Sequence, residues 1–108
     1  MKTSVLVAFD VSGSISRETI KKNAAQVISK VCPNAEIHVG TFDHEWHPAT
    51  LNDVLSGNIQ RGLGTFLEPV LEAALDYDHC IIVSNGYFSD VEHDVFNSND
   101  NLSLHIYA

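Results

Sequence analysis

Phe9-Asp10-Val11-Ser12-Gly13-Ser14 is the stretch on which the fold turns. It closes an apolar run, Val5 to Phe9, and precedes a helical pattern. One carboxylate and two hydroxyls are thereby placed on a tight turn at the C-terminal end of a strand. Ligands of open α/β sheets sit in the crevice at that end. All three side chains offer oxygen, the donor that hard cations such as Mg²⁺ take.

Outward from this turn, Ser4 to Phe9 reads as a short buried strand ended by turn chemistry. A helix is expected from about Arg17 to Val31, with Ser16 as N-cap and Glu18 in the dipole-favoured first turn. Ile20, Ala24, Val27, Ile28 and Val31 share one face of it. Cys32-Pro33-Asn34 ends it, because proline cannot continue the ladder. Ala35 to Phe42 alternates as a second strand, ending at Asp43. Glu45 to Ala49 fits an edge strand, where Pro48 is tolerated.

Leu51 to Leu55 reads as a short helix and Ser56 to Gly64 as a polar loop. Pro69 to Leu75 reads as a helix with proline at its first position. His79 to Ser84 is an unbroken apolar strand of the kind covered on both faces. Asn85-Gly86 turns the chain, Val91 to Phe96 suits a short helix, and Leu102 to Tyr107 alternates as a last strand. Strands alternating with helices imply a mainly parallel, Rossmann-like open sheet flanked by helices, with right-handed crossovers. The 108 residues, 44% of them hydrophobic, suit one compact α/β domain spanning 1–108.

Composition excludes several classes. The net charge is −8; of the six Lys and Arg, Arg17, Lys21, Lys22 and Lys30 gather on the first helix and the remainder of the chain is acidic, so a generic nucleic-acid binder is not expected. No apolar run approaches the roughly 18 to 20 residues of a membrane span. No small-residue cleavage site follows Met1-Lys2-Thr3, so no secretory signal is expected and the cytoplasm is the expected compartment. Cys32 and Cys80 lack zinc-site spacing, and in that compartment a disulfide is not expected.

Three segments reach the same sheet edge: Asp10 to Ser14, Gly62-Leu63-Gly64-Thr65 and Ser84-Asn85-Gly86. Together they resemble the von Willebrand factor type A (VWA) family and its metal-ion-dependent adhesion site. That pattern is Asp-x-Ser-x-Ser, then Thr after a glycine-rich loop, then Asp after a later strand. Asp10, Ser12 and Ser14 match the first part and Thr65 the second. The resemblance is closest to the VWA-like domains of predicted bacterial metallopeptidases, through Ser12-Gly13-Ser14-Ile15 and Gly64-Thr65 to Pro69. Asn85 stands where the family has Asp, Phe66 replaces an acidic residue that often follows the Thr, and the chain is shorter than most members.

The resemblance implies a protein-binding module. Ser12, Ser14 and Thr65 would offer neutral oxygens to Mg²⁺ or Mn²⁺, Asp10 charge, and Asn85 an amide oxygen to a metal-bound water. Asn85 adds no charge, so the ion would bind weakly and draw an Asp or Glu of a protein partner to complete its shell. Asp43 and Asp90, near strand ends, are candidates to restore charge from outside. Trp46, Phe66 and Tyr87 are candidates for a partner-binding rim; for Phe66 the core competes, and Tyr87 stands open.

Other readings compete. Asp10, Ser12 and Ser14 taken alone suit helix capping. A metal-free VWA-like adaptor or inhibitor using another surface is the first alternative; a stand-alone domain this short suits a phage or mobile element. A phosphoryl-transfer enzyme is the second, but it would want a further Asp where Ser12 stands and a later Lys, so the module is expected to be no enzyme. Asp43-His44-Glu45-Trp46-His47 lacks the helical spacing of a metalloprotease motif and reads as a polar loop or edge strand.

Overall fold

The computed structural model describes residues 3–12, 15–31, 34–57, 59, 62, 64–91 and 94–107. Its elements follow the chain as β1 (Ser4–Asp10), α1 (Arg17–Lys30), β2 (Glu36–Phe42), β3 (Trp46–Ala49), α2 (Leu51–Ser56), α3 (Glu68–Ala74), β4 (His79–Ser84), α4 (Val95–Ser98) and β5 (Leu102–Ile106). The strands form one sheet in the order β3-β2-β1-β4-β5. β1 lies between β2 and β4 and pairs parallel with both. β5 extends the parallel set beyond β4, and β3 closes the other edge antiparallel to β2. This is the mainly parallel, helix-flanked α/β sheet that the sequence pattern implies.

β1 is central because its residues can be buried on both faces. Val5, Val7 and Phe9 join Ile20, Ala24 and Val27 of α1 and Val54 of α2 in one core. Leu6 and Ala8 join Val70 and Ala74 of α3, and Cys80 and Ile82 of β4, in the other. The period of two along β1 thus feeds two helical layers. Cys80 is a buried thiol whose pKa burial pushes up to about 12, so it behaves as a small hydrophobe. Cys32 lies outside the described residues.

Local chemistry sets the boundaries. Ser16 caps α1 by accepting from the Thr19 N–H at 3.1 Å. Thr50 and Asp53 form a reciprocal capping box that starts α2. α3 begins at Glu68, one residue before Pro69, because Asp90 supplies its cap from a distant loop: its two carboxylate oxygens accept from the N–H of Leu67 (2.8 Å) and Glu68 (2.9 Å).

The expected helix at Val91 to Phe96 is corrected to Val95–Ser98. Upstream, Ser89 donates its N–H to the Thr65 carbonyl and Asp90 caps α3. The segment before residue 91 is therefore spent on joining β4 to the Thr65 loop. Among the described residues the helical hydrogen bonds begin at the Asp94 carbonyl, which accepts from Asn97 and Ser98; Glu92 and His93 lie outside the described residues.

Trp46 lies on the edge strand β3 beside β2. A Cβ at Gly40 would overlap its ring, so the indole lies over that bare backbone. It packs against the Leu6, Phe42 and Ile82 core. The glycine in β2 is what admits a tryptophan on the neighbouring edge strand, where Trp46 is partly buried.

Candidate functional site

Five of the buried polar side chains, Asp10, Ser12, Asp43, Thr65 and Ser84, stand at or just past the C-terminal ends of β1, β2 and β4 or on the loop beside them. Parallel pairing sets this up. β1 and β2 run in register to Asp10↔Phe42, so Asp43 emerges beside the turn that starts at Asp10. β1 and β4 run in register to Phe9↔Val83, so the next pair is Asp10 and Ser84.

Asp10 is fully buried. Its Oδ1 accepts from the Ser12 N–H at 2.9 Å, and its Oδ2 accepts from the Ser84 hydroxyl at 2.8 Å. Its backbone carbonyl accepts from the Tyr107 hydroxyl at 2.9 Å, which ties the end of β5 to the site. Desolvation dominates its titration and raises its pKa above the ordinary 3.8. The Ser12 N–H and the Ser84 hydroxyl work against this rise, and the nearby Asp43 charge adds to it. Burial, then the Asp10 charge, raises the Tyr107 pKa too, so the phenol stays a donor.

Asp43 is almost as buried. Its Oδ1 accepts from the Glu45 N–H at 2.9 Å and faces His47 Nε2 at 3.2 Å and His44 Nδ1 at 3.4 Å. A Cβ at Gly62 would overlap the Asp43 carboxylate, so that glycine lets the loop touch it. Ser12 forms a parallel bridge with the same Gly62. The Phe66 N–H donates to the Asp43 carbonyl at 2.8 Å. Thr65 is thus held between two anchor points, one on each side in sequence, that both lead to Asp43.

Asn85 is half-buried at the opposite side of the turn. Its Oδ1 accepts from the Tyr87 N–H at 3.3 Å and lies 3.4 Å from the Ser84 hydroxyl. That hydroxyl also accepts from the Gly86 N–H at 3.2 Å. Phe66 is 41% exposed and Tyr87 79% exposed, and both leave the buried cluster toward solvent. Asp90, with both oxygens on the backbone of α3, is a cap in this structure. Ser14 lies outside the described residues.

Sequence reasoning passed over Ser84 and Tyr107. Ser84 carries a readable signal: it is the hydroxyl that ends the apolar run Cys80 to Val83, in parallel register with β1. Tyr107 carries none, because alternation alone groups it with Ser103 and His105.

The donor set suits a hard cation. The side chains are carboxylates, hydroxyls and an amide oxygen, the donor types such an ion takes. Among the described residues no Lys or Arg pairs with Asp10 or Asp43, and the basic groups that face Asp43 are the imidazoles of His44 and His47. Nor do three His, Cys, Asp or Glu side chains converge as a ligand set there, so any metal would rest on the hydroxyls. No described helix is long and apolar enough to cross a membrane.

No family model and no curated protein sequence matches the chain. Solved structures do. The chain is similar to the structure of three N-terminal domains of the type V pili tip protein Mfa5 from Porphyromonas gingivalis, with a TM-score of 0.58 and 16% identity over 81% of this chain. An aerotolerance-related membrane protein from Bacteroides fragilis gives a TM-score of 0.61 at 10% identity over 96%. The Deinococcus radiodurans RO (RSR) protein gives 0.63 at 16% identity over 97%. The chain spans 20%, 66% and 27% of those three chains respectively. At these identities what is shared is the fold.

Proposed function

We propose that the chain is a VWA-like protein-binding module whose sheet edge at Asp10 holds a divalent cation and engages a carboxylate of a protein partner. The observation that carries this reading is the convergence of Asp10, Ser12, Asp43, Thr65 and Ser84, buried polar groups whose two carboxylates have, among the described residues, no Lys or Arg beside them. Burying a carboxylate without a countercharge is costly unless something compensates it.

Ser12 and Thr65 would hold Mg²⁺ or Mn²⁺ through their hydroxyls, Asp10 through charge, and Asn85 through a bound water; Ser14 completes the motif by sequence. When bound, the ion supplies a Lewis-acidic position for an Asp or Glu side chain. Ser84 and Tyr107 keep Asp10 in place, Asp43 adds charge from the β2 side, and exposed Phe66 and Tyr87 offer apolar contact around the opening. That the solved structures with this fold include a pilus tip protein agrees with an interaction role.

Thermal unfolding with EDTA, Mg²⁺ and Mn²⁺ tests the reading, because a ligand that binds only the native state raises the midpoint. A rise at millimolar metal that is lost in Asp10→Asn is expected. No shift with either ion sinks it and leaves the metal-free adaptor or inhibitor, which one observation favours: both Asp10 oxygens already accept hydrogen bonds from within the chain.

A further inference from the structure

β5 is an edge of the sheet, and parallel pairing with β4 decides which of its residues turn outward. The Asn101 carbonyl accepts from the Cys80 N–H at 2.9 Å, and the Tyr107 N–H donates to the Ser84 carbonyl at 3.0 Å. Asn101, Ser103, His105 and Tyr107 therefore direct their backbone at β4. The alternate residues, Leu102, Leu104 and Ile106, direct theirs to the open side. The Asn99 carbonyl accepts from the Leu102 N–H at 3.1 Å. Among the described residues, no strand answers the N–H and C=O groups of Leu104 and Ile106 or the carbonyl of Leu102.

The two edges of the sheet are not alike. β3 has four residues, and Pro48 removes a donor from it. Shortness and proline are devices that keep an edge from pairing. β5 has no proline, and no Asp, Glu, Lys or Arg lies between Leu102 and Tyr107. In a chain of net charge −8, two copies can meet along this segment without opposing like charges. Its side chains also sort by face. Leu102 and Leu104 belong to the core that α3 and α4 cover. Ile106 shares their face by the period of two, yet stands 51% exposed. Ser103 and His105 are on the other face.

We propose that a second copy of this chain occupies the edge, paired antiparallel through β5 about a two-fold axis at Leu104. This register uses every outward residue. Each Leu104 exchanges both backbone bonds with its equivalent, and each Ile106 N–H reaches the other copy's Leu102 carbonyl, the Leu102 group that the Asn99 turn leaves open. The apolar row then falls on one face, and leucine covers Ile106. Ser103 meets His105 on the opposite face. The contact is isologous, the closed arrangement that most homo-oligomers use. A strand of another protein would satisfy the same backbone. Self-pairing is favoured because β5 is uncharged and matches itself in the register that its own backbone imposes.

Sedimentation equilibrium of the intact chain in EDTA tests this apart from the metal site. A monomer–dimer equilibrium is expected. Ile106→Lys, at an exposed position, puts a charge into the seam from both copies and should raise the dissociation constant roughly tenfold. Ile106→Pro deletes an outward N–H, leaves the bonds to β4 in place and should act likewise. Cysteine crosslinking checks the register in a Cys32→Ser background. Paired Leu104→Cys residues would have Cα atoms about 5.5 Å apart, within disulfide reach, so mild oxidation should link the copies. Ser103→Cys should not link. A chain that stays monomeric to millimolar concentration overturns the proposal, even where an extended peptide binds this edge. So does a dimer that both Ile106 variants leave intact, or oxidation that links Ser103→Cys and not Leu104→Cys.

Discussion

The Ser84 hydroxyl donates to Asp10 Oδ2 at 2.8 Å, across the parallel pair β1–β4, and so satisfies one oxygen of a fully buried carboxylate. Everything else at this edge is arranged around that bond. The Ser12 N–H takes the other oxygen, and the Tyr107 hydroxyl holds the carbonyl of the same residue.

Ser84→Ala removes the donor and leaves the Asp10 oxygen buried with less compensation. A loss of roughly 1–3 kcal/mol is expected, as for other orphaned buried acceptors. The midpoint of urea unfolding measures it. Because the hydroxyl is one of the groups that hold the Asp10 pKa down, the same variant should titrate that carboxyl at still higher pH.

Asp10 should make the fold less stable as pH rises. Below the ordinary value of 3.8 the group is protonated in both states and contributes nothing. Above it the unfolded carboxyl ionises first, because the folded pKa is raised, and stability falls until the folded group ionises as well. Asp10→Asn should remove this slope in metal-free buffer while keeping an acceptor for Ser12. Denaturant unfolding from about pH 3 to 8 in EDTA checks it. A wild-type slope that persists in the variant assigns the titration to another group. In Mg²⁺ the order should reverse, with the wild type gaining stability and the variant gaining none.

Tyr107→Phe deletes a hydroxyl without changing the ring, which stays packed on the α1 core. The lost hydrogen bond to the Asp10 carbonyl should cost about 1 kcal/mol. Any Mg²⁺-induced rise in the midpoint should shrink without vanishing. An unchanged rise would place the metal away from Asp10.

Gly40→Ala should cost about 1–3 kcal/mol, in the range of core overpacking. The new methyl overlaps the Trp46 ring, so the indole must leave its place on β2. A change in intrinsic tryptophan fluorescence is the expected readout, and the signal is specific because Trp46 is the chain's one tryptophan.

Much of the architecture was legible in the residues. The apolar runs Val5–Phe9 and Cys80–Val83 read as buried strands, and β1 and β4 are where those runs lie. Ser16 announced the start of the first helix, and it serves as its cap. Asp10, Ser12 and Thr65 were legible as one edge because parallel strands put their C-terminal loops together. Asp90 and Trp46 were not. Asp90 has no local partner that would mark it as a cap, since the N–H groups it serves are those of Leu67 and Glu68. For Trp46, nothing in its own neighbourhood shows that Gly40 lies beneath its ring.

By itself, then, the sequence determined what depends on short-range chemistry: strand and helix periods, caps, turn residues and the donor types at Asp10 to Ser14. Tertiary structure decided what depends on register between distant segments. It set Ser84 against Asp10, brought Asp43 up to Gly62 and joined Tyr107 to the carbonyl of Asp10. The reason is that hydrogen-bond satisfaction of a buried group is a long-range count. A carboxylate such as Asp10 can be recognised locally as oxygen on a turn, but which donors answer its burial is settled only when β1, β4 and β5 lie side by side.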